Sequence, residues 1–217
     1  GGGSGDDDDL GLEDEGNVEL VLRVLQYMCE GHNFQLQEYL RFQPDNIHPI
    51  NLVSVTVEFL AHMMEDVTDD TIELITQTVE TLVEFSQGCP NNQQSIFDAK
   101  VVDSLNHLLR IPKFHEVCKA EKVARLHLAC ANLVLALLEN SDERTHTMAI
   151  ELEQTLDIEH MFKQMRHYDA VHESGEDQTW ETDEDDDDDP VPAQDVASAF
   201  FICIVRLSDF THKQYHD

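Results

Sequence analysis

With 217 residues and 41% hydrophobic content, the chain can bury a core of its own, which excludes disorder as its overall character. Its 45 acidic residues against 13 basic ones give a formal net charge of -32. That field repels phosphate backbones and anionic lipid headgroups, so nucleic-acid or membrane-surface binding through a general basic face is excluded.

From the start of the chain, Gly1 to Gly5 has the composition of a flexible linker, and Asp6 to Asp9 is an acidic block. Residues 1–16 are therefore expected to be a disordered, linker-like acidic leader. After Gly16 apolar residues recur at helical spacing, with no period-two runs bounded by hairpin turns, so the fold class is all-α. Val18, Leu22, Leu25 and Cys29 form one stripe of a first helix that Gly31 closes. Phe34, Leu36, Tyr39 and Leu40 form a short second helix before Pro44, and Leu52, Val55, Phe59 and Met63 face one way on a third. Thr68, Asp69 or Asp70 is expected to cap a fourth helix carrying Leu74, Val79, Leu82 and Phe85, ended by Gly88 and Pro90.

Gln93 to Leu109 reads as one helix or two with a break near Asp98, stopped by Pro112. Phe114 to Glu139 reads as one long helix or two, with Val123, Leu126, Cys130, Leu133 and Leu137 on its apolar side. Ser141 or Asp142 caps Glu143 to Leu156, and Asp157 caps Ile158 to Tyr168. An acidic low-complexity stretch, Glu173 to Asp189, ends at Pro190 and Pro192, and a last helix is expected over Gln194 to Tyr215. Short loops between successive helices predict antiparallel pairs stacked as an armadillo or HEAT-like solenoid, with a globular bundle as the alternative. The abrupt ends predict an excised piece of a longer chain, and the longest apolar run, Ala197 to Val205, is about half of a membrane span.

The five cysteines (Cys29, Cys89, Cys118, Cys130, Cys203) are odd in number and lack a Cys-x-x-Cys pair, which predicts buried thiols. His160/His167 and His212/His216 lie on shared helix faces without a third ligand, a pattern more common on surfaces than in zinc sites. No nucleophile elbow, phosphate-cradling loop or protease cysteine signature is present, so no enzyme is expected. An EF-hand loop begun at Asp6 places Leu10 at position 5 and Asn17 at position 12, where oxygen ligands are required. Two acids inside the helical frame remain: Glu30 at the end of the first helix and Glu84 near the end of the fourth. By composition alone both are ordinary surface glutamates. Carboxylates from two meeting helix ends are nonetheless a donor set that suits a hard cation.

The stretch Leu25 to Arg41, with Cys29-Glu30-Gly31-His32-Asn33 at its centre, resembles the opening of the RIH-associated domain shared by inositol trisphosphate and ryanodine receptors. Thr81 to Ser95, with Glu84-Phe85-Ser86-Gln87-Gly88-Cys89-Pro90, is similar to a second block of that domain, and the looser resemblance covers about Gly16 to Tyr168. The short acidic connector without EF-hand loops favours the inositol trisphosphate receptor type. Cys89-Pro90 reverses the usual Pro-Cys order of the family, and Glu30-Gly31 and Asn92-Gln93-Gln94 lean toward the ryanodine version.

The resemblance implies a helical domain over residues 17–168, an acidic disordered linker over 169–193 and, over 194–217, the truncated start of a following helical segment. It implies an activating calcium site that takes Glu30 and Glu84, with a third ligand from the pore-linked C-terminal region of the same channel subunit. Calcium binding in the isolated chain would then be weak. The parent would be a homotetrameric calcium-release channel of the endoplasmic reticulum membrane, and this piece a regulatory part on the cytosolic face with no membrane contact of its own. The alternatives are a ryanodine-receptor-type fragment or a generic helical scaffold that binds partner peptides with no ion role.

Overall fold

The computed structural model describes residues 17–111, 114–180 and 190–212. They form α1 (Asn17–Cys29), α2 (Phe34–Arg41), α3 (Leu52–Met63), α4 (Ile72–Ser86), α5 (Pro90–Asp98), α6 (Val101–Arg110), α7 (Phe114–Val117), α8 (Ala120–Leu137), α9 (Glu143–Thr155), α10 (Ile158–Ser174) and α11 (Ala193–His212), with a 3-10 turn over Glu176–Thr179. Among the described residues there is no strand, and no helix is long and apolar enough to cross a membrane. The all-α expectation is met. Residues 1–16 and the acidic block Asp183 to Asp189 lie outside the described residues.

The helix punctuation follows local chemistry. Gly31, at φ +71°, turns the chain after α1, and the Asn33 amide donates to the Cys29 carbonyl, closing the last turn. Pro90 starts α5 at its first turn, where a missing N–H costs nothing, so this helix begins three residues before the expected Gln93. The expected break near Asp98 falls at Ala99 and Lys100, the latter left-handed at φ +68°. Asp142 and Asp157 accept the Thr145 and His160 amides and cap α9 and α10. At α4 the cap position is Thr71 rather than Thr68, Asp69 or Asp70: its hydroxyl ties back to the Asp66 carbonyl and the Thr68 amide. The helix expected to stop at Tyr168 continues to Ser174, because Val171 adds another buried position and left-handed Gly175 supplies the stop.

The core is built around α4 and α8. Helix α4 packs on α1, α3, α5 and α8, and α8 packs on α4 and α11, so each is covered on more than one side. α4 can be buried almost all round despite its threonines because Thr76, Thr78 and Thr81 donate their hydroxyls to the carbonyls of Ile72, Leu74 and Gln77. On α8 the expected stripe of Val123, Leu126, Cys130, Leu133 and Leu137 is buried, and so are Ala129, Ala131 and Ala136, whose small side chains admit a second neighbour. That neighbour is α11, which brings Val196, Phe200, Cys203 and Leu207 into the same core and also packs along α10.

Two expected faces differ. On α3 the buried residues are Val53, Thr56, Val57 and Leu60, while Val55 is exposed. The segment is apolar nearly all round, so spacing alone supports two stripes, and the packing of α4 selects the other one. On α2, Phe34 and Tyr39 are exposed and Gln37 is fully buried beside Leu40. The polar residue points inward because it has carbonyls to bond there.

Candidate functional site

The C-terminal ends of α1 and α4 meet. The turn Glu30-Gly31-His32 follows α1, and Gln87-Gly88 follows α4. A methyl group on Gly88, which sits at φ +69°, would lie 3.3 Å from His32 Nδ1, so the two turns touch and only glycine fits without a shift. His32 itself adopts a left-handed φ of +59°, uncommon outside glycine, with histidine among the residue types that reach it most readily.

The end of α4 is held by side-chain amides. A helix leaves its last carbonyls without intrahelical partners, and here neighbouring elements supply them. Gln37 Nε2 of α2 donates to the Glu84 and Gln87 carbonyls at 2.7 and 2.8 Å. Asn92 Nδ2 of α5 donates to the Phe85 carbonyl at 2.8 Å and to the Gln37 carbonyl at 2.9 Å. Gln93 Nε2 donates to the carbonyls of Ser86 and, from α8, Ala136. The Gly88 amide donates to Glu139 Oε2 at 2.6 Å. The backbone that carries Glu84 is thereby fixed to α2, α5 and α8.

Both sequence-predicted acids stand at this junction, with Glu30 exposed and Glu84 half-buried. Burial pushes the Glu84 carboxyl above its ordinary range, the negative charge of Glu30 pushes it further, and His32 acts in the opposite direction. The two carboxylates therefore sit within each other's field. The nearby Cys29 thiol is pushed up to about 11 by burial first, then by the charges of Glu84 and Cys89. The partly negative C-terminal end of α4 adds to the same sign. A cation held between the two carboxylates would relieve their mutual repulsion, and carboxylate oxygens are the donor type calcium takes, here two of the larger set it needs. Among the described residues no group of three or more His, Cys, Asp or Glu side chains converges to hold a metal ion.

The raised Glu84 carboxyl has a stability consequence. A group that holds its proton more tightly folded than unfolded contributes stability below its ordinary range, and that contribution is lost as pH rises through the raised value. Glu84→Gln is expected to raise the thermal midpoint at about pH 7, and near pH 3, where the carboxyl is protonated folded and unfolded, to leave it unchanged. Circular dichroism melts of both forms at the two pH values check this.

Sequence reasoning missed Gln37, Asn92 and Gln93 as the residues that position the site. The spacing of Gln37 three residues before Leu40 was the one signal in the chain. The expected pattern favoured Phe34, Leu36 and Tyr39 because apolar residues are presumed to face inward.

Residues 13–109 match the family described as RyR and IP3R Homology associated. The chain is 42% identical to the inositol 1,4,5-trisphosphate receptor itr-1 of Caenorhabditis elegans over 90 residues, taking in 36% of this chain and 3% of that protein. It is 23% identical to the inositol 1,4,5-trisphosphate receptor-like protein A of Dictyostelium discoideum over 138 residues, which is 61% of this chain and 4% of that one. The chain thus spans only a few hundredths of the length of the curated relatives it matches. Residues 13–109 thus carry an RIH-associated domain, and both relatives named above are inositol trisphosphate receptor proteins.

Proposed function

We propose that this chain is a regulatory, non-catalytic part of an inositol trisphosphate-gated calcium-release channel, and that Glu30 and Glu84 are its contribution to an activating calcium site. The observation that carries the reading is the meeting of α1 and α4 at two touching turns, with the charge of one glutamate acting on the other. Two carboxylates do not fill the six to eight oxygen positions calcium takes. The remaining ligands would come from the pore-linked C-terminal region of the same subunit. Calcium would then be a contact available in one gating state and not in another, which is how a ligand shifts a conformational equilibrium. The succession of α1 on α4, α4 on α8 and α8 on α11 supports an armadillo or HEAT-like stack, stiff enough to carry that pull. The parent channel on this reading is a homotetramer of the endoplasmic reticulum membrane, with this part on the cytosolic face.

Isothermal titration of calcium chloride into the 217-residue chain tests the site. The expected result is binding at the millimolar end of the protein range, with its heat lost in the Glu30→Gln, Glu84→Gln double variant. Micromolar affinity that survives the double substitution would place calcium on other acids and refute the assignment.

A further inference from the structure

The end of α8 is gripped from two sides. A helix leaves its last carbonyls without partners of its own, and they form the partly negative pole of its dipole. At α8 the Ala136 carbonyl takes Gln93 Nε2 of α5 at 2.9 Å, and the Leu138 carbonyl takes Arg206 Nη2 and Nε of α11 at 3.3 and 3.4 Å. Both bonds from Arg206 are long, but their donor is a cation at the negative end of a helix, where a cation is favoured. The guanidinium carbon also lies 5.1 Å from the centre of the buried Phe210 ring, one turn further along α11. A planar fork held on both a carbonyl and a ring is a geometry that lysine does not reproduce.

What Arg206 holds is the turn that bears Glu139 and Asn140. Glu139 Oε2 accepts the Gly88 amide at 2.6 Å, and Asn140 Nδ2 donates to Gln93 Oε1 at 2.8 Å. Gln93 in turn donates to the Ser86 carbonyl at 3.1 Å. Hydrogen bonds therefore run from α11, through the turn after α8, to the last turn of α4 and the glycine that follows it, two and four residues beyond Glu84. Arg206 lies outside residues 13–109, over which the family match runs.

We propose that Arg206 is a positioning residue for the junction of α1 and α4: from α11 it fixes the turn after α8, and through that turn the backbone at Gly88 and Ser86 that presents Glu84. Its bearing on calcium rests on the calcium reading proposed above. Its bearing on the Gly88 turn stands without it.

The test is amide hydrogen exchange, read by NMR on the whole chain and on Arg206→Met, which keeps the apolar stem and removes the donors. The Gly88 amide is expected to exchange several-fold faster in the variant, while Val57, buried on α3, keeps its parent rate. Arg206→Lys, with the charge but not the fork, is expected to fall between the two. Arg166→Met, on the exposed side of α10, leaves Gly88 as it was. An unchanged Gly88 rate in Arg206→Met overturns the proposal. So does equal acceleration at Gly88 and Val57, which would make Arg206 a contributor to global stability alone. Should Arg206→Met fail to fold, the same comparison of Gly88 with Val57 in Arg206→Lys decides. Calcium titration of these variants separates the two readings. Where the heat depends on Glu30 and Glu84, Arg206→Met is expected to weaken calcium several-fold, and unchanged affinity overturns the positioning role while the site stands. Faster exchange at Gly88 alone, with heat that survives the Glu30→Gln, Glu84→Gln double variant, supports the positioning role and removes the calcium site.

Discussion

Phe85→Ala is expected to lower the unfolding free energy by about 3–5 kcal/mol, the range for truncating a buried aromatic ring. Phe85 is fully buried in the common core, and its carbonyl takes the Asn92 amide in the last turn of α4. α4 is enclosed by α1, α3, α5 and α8, so the walls of the cavity belong to several helices and cannot collapse together, which favours the upper half of the range. Urea unfolding followed by circular dichroism checks this, with the midpoint lowered and the denaturant slope unchanged. On the calcium reading proposed above, binding should weaken as well, because the adjacent residue is Glu84.

The second large effect is expected from Gln37→Leu, at about 2–4 kcal/mol. Leucine nearly conserves the volume, so the loss comes from hydrogen bonding: the Glu84 and Gln87 carbonyls lose the Nε2 donor that both share. Each part-buried carbonyl left without its partner keeps much of its desolvation cost with nothing to offset it. The effect should be local as well as global. Amide hydrogen exchange is expected to accelerate at Gly88 and Cys89, in the turn that Gln37 holds, more than at the middle of α8. A uniform acceleration across both would show that Gln37 acts only through global stability.

Residues that act through their own neighbours are legible in the sequence. The glycine stops at Gly31 and Gly88, the Asp142 and Asp157 caps and the break after Asp98 each depend on a handful of consecutive residues. So does the burial of Val123, Leu126, Cys130, Leu133 and Leu137. The buried face of α3 is not legible in this way, because a helix apolar on both sides carries two consistent stripes and the neighbour chooses between them. Gln37 is hidden for the complementary reason: a polar side chain goes inside only when distant carbonyls await it, and those belong to the last turn of α4 and the turn after it, 47 and 50 residues further on.

The same division holds for the candidate site. Helicity, strong acidity and the two blocks that resemble one receptor domain all follow from the linear chain, because periodicity, charge and motif are properties of residues in order. That the turns after α1 and α4 touch, that the Glu30 charge reaches Glu84, and that α1 and α3 leave an apolar groove between them emerges only on folding. Those are relations between segments far apart in the chain, and side-chain packing around α4, which no local pattern encodes, fixes them.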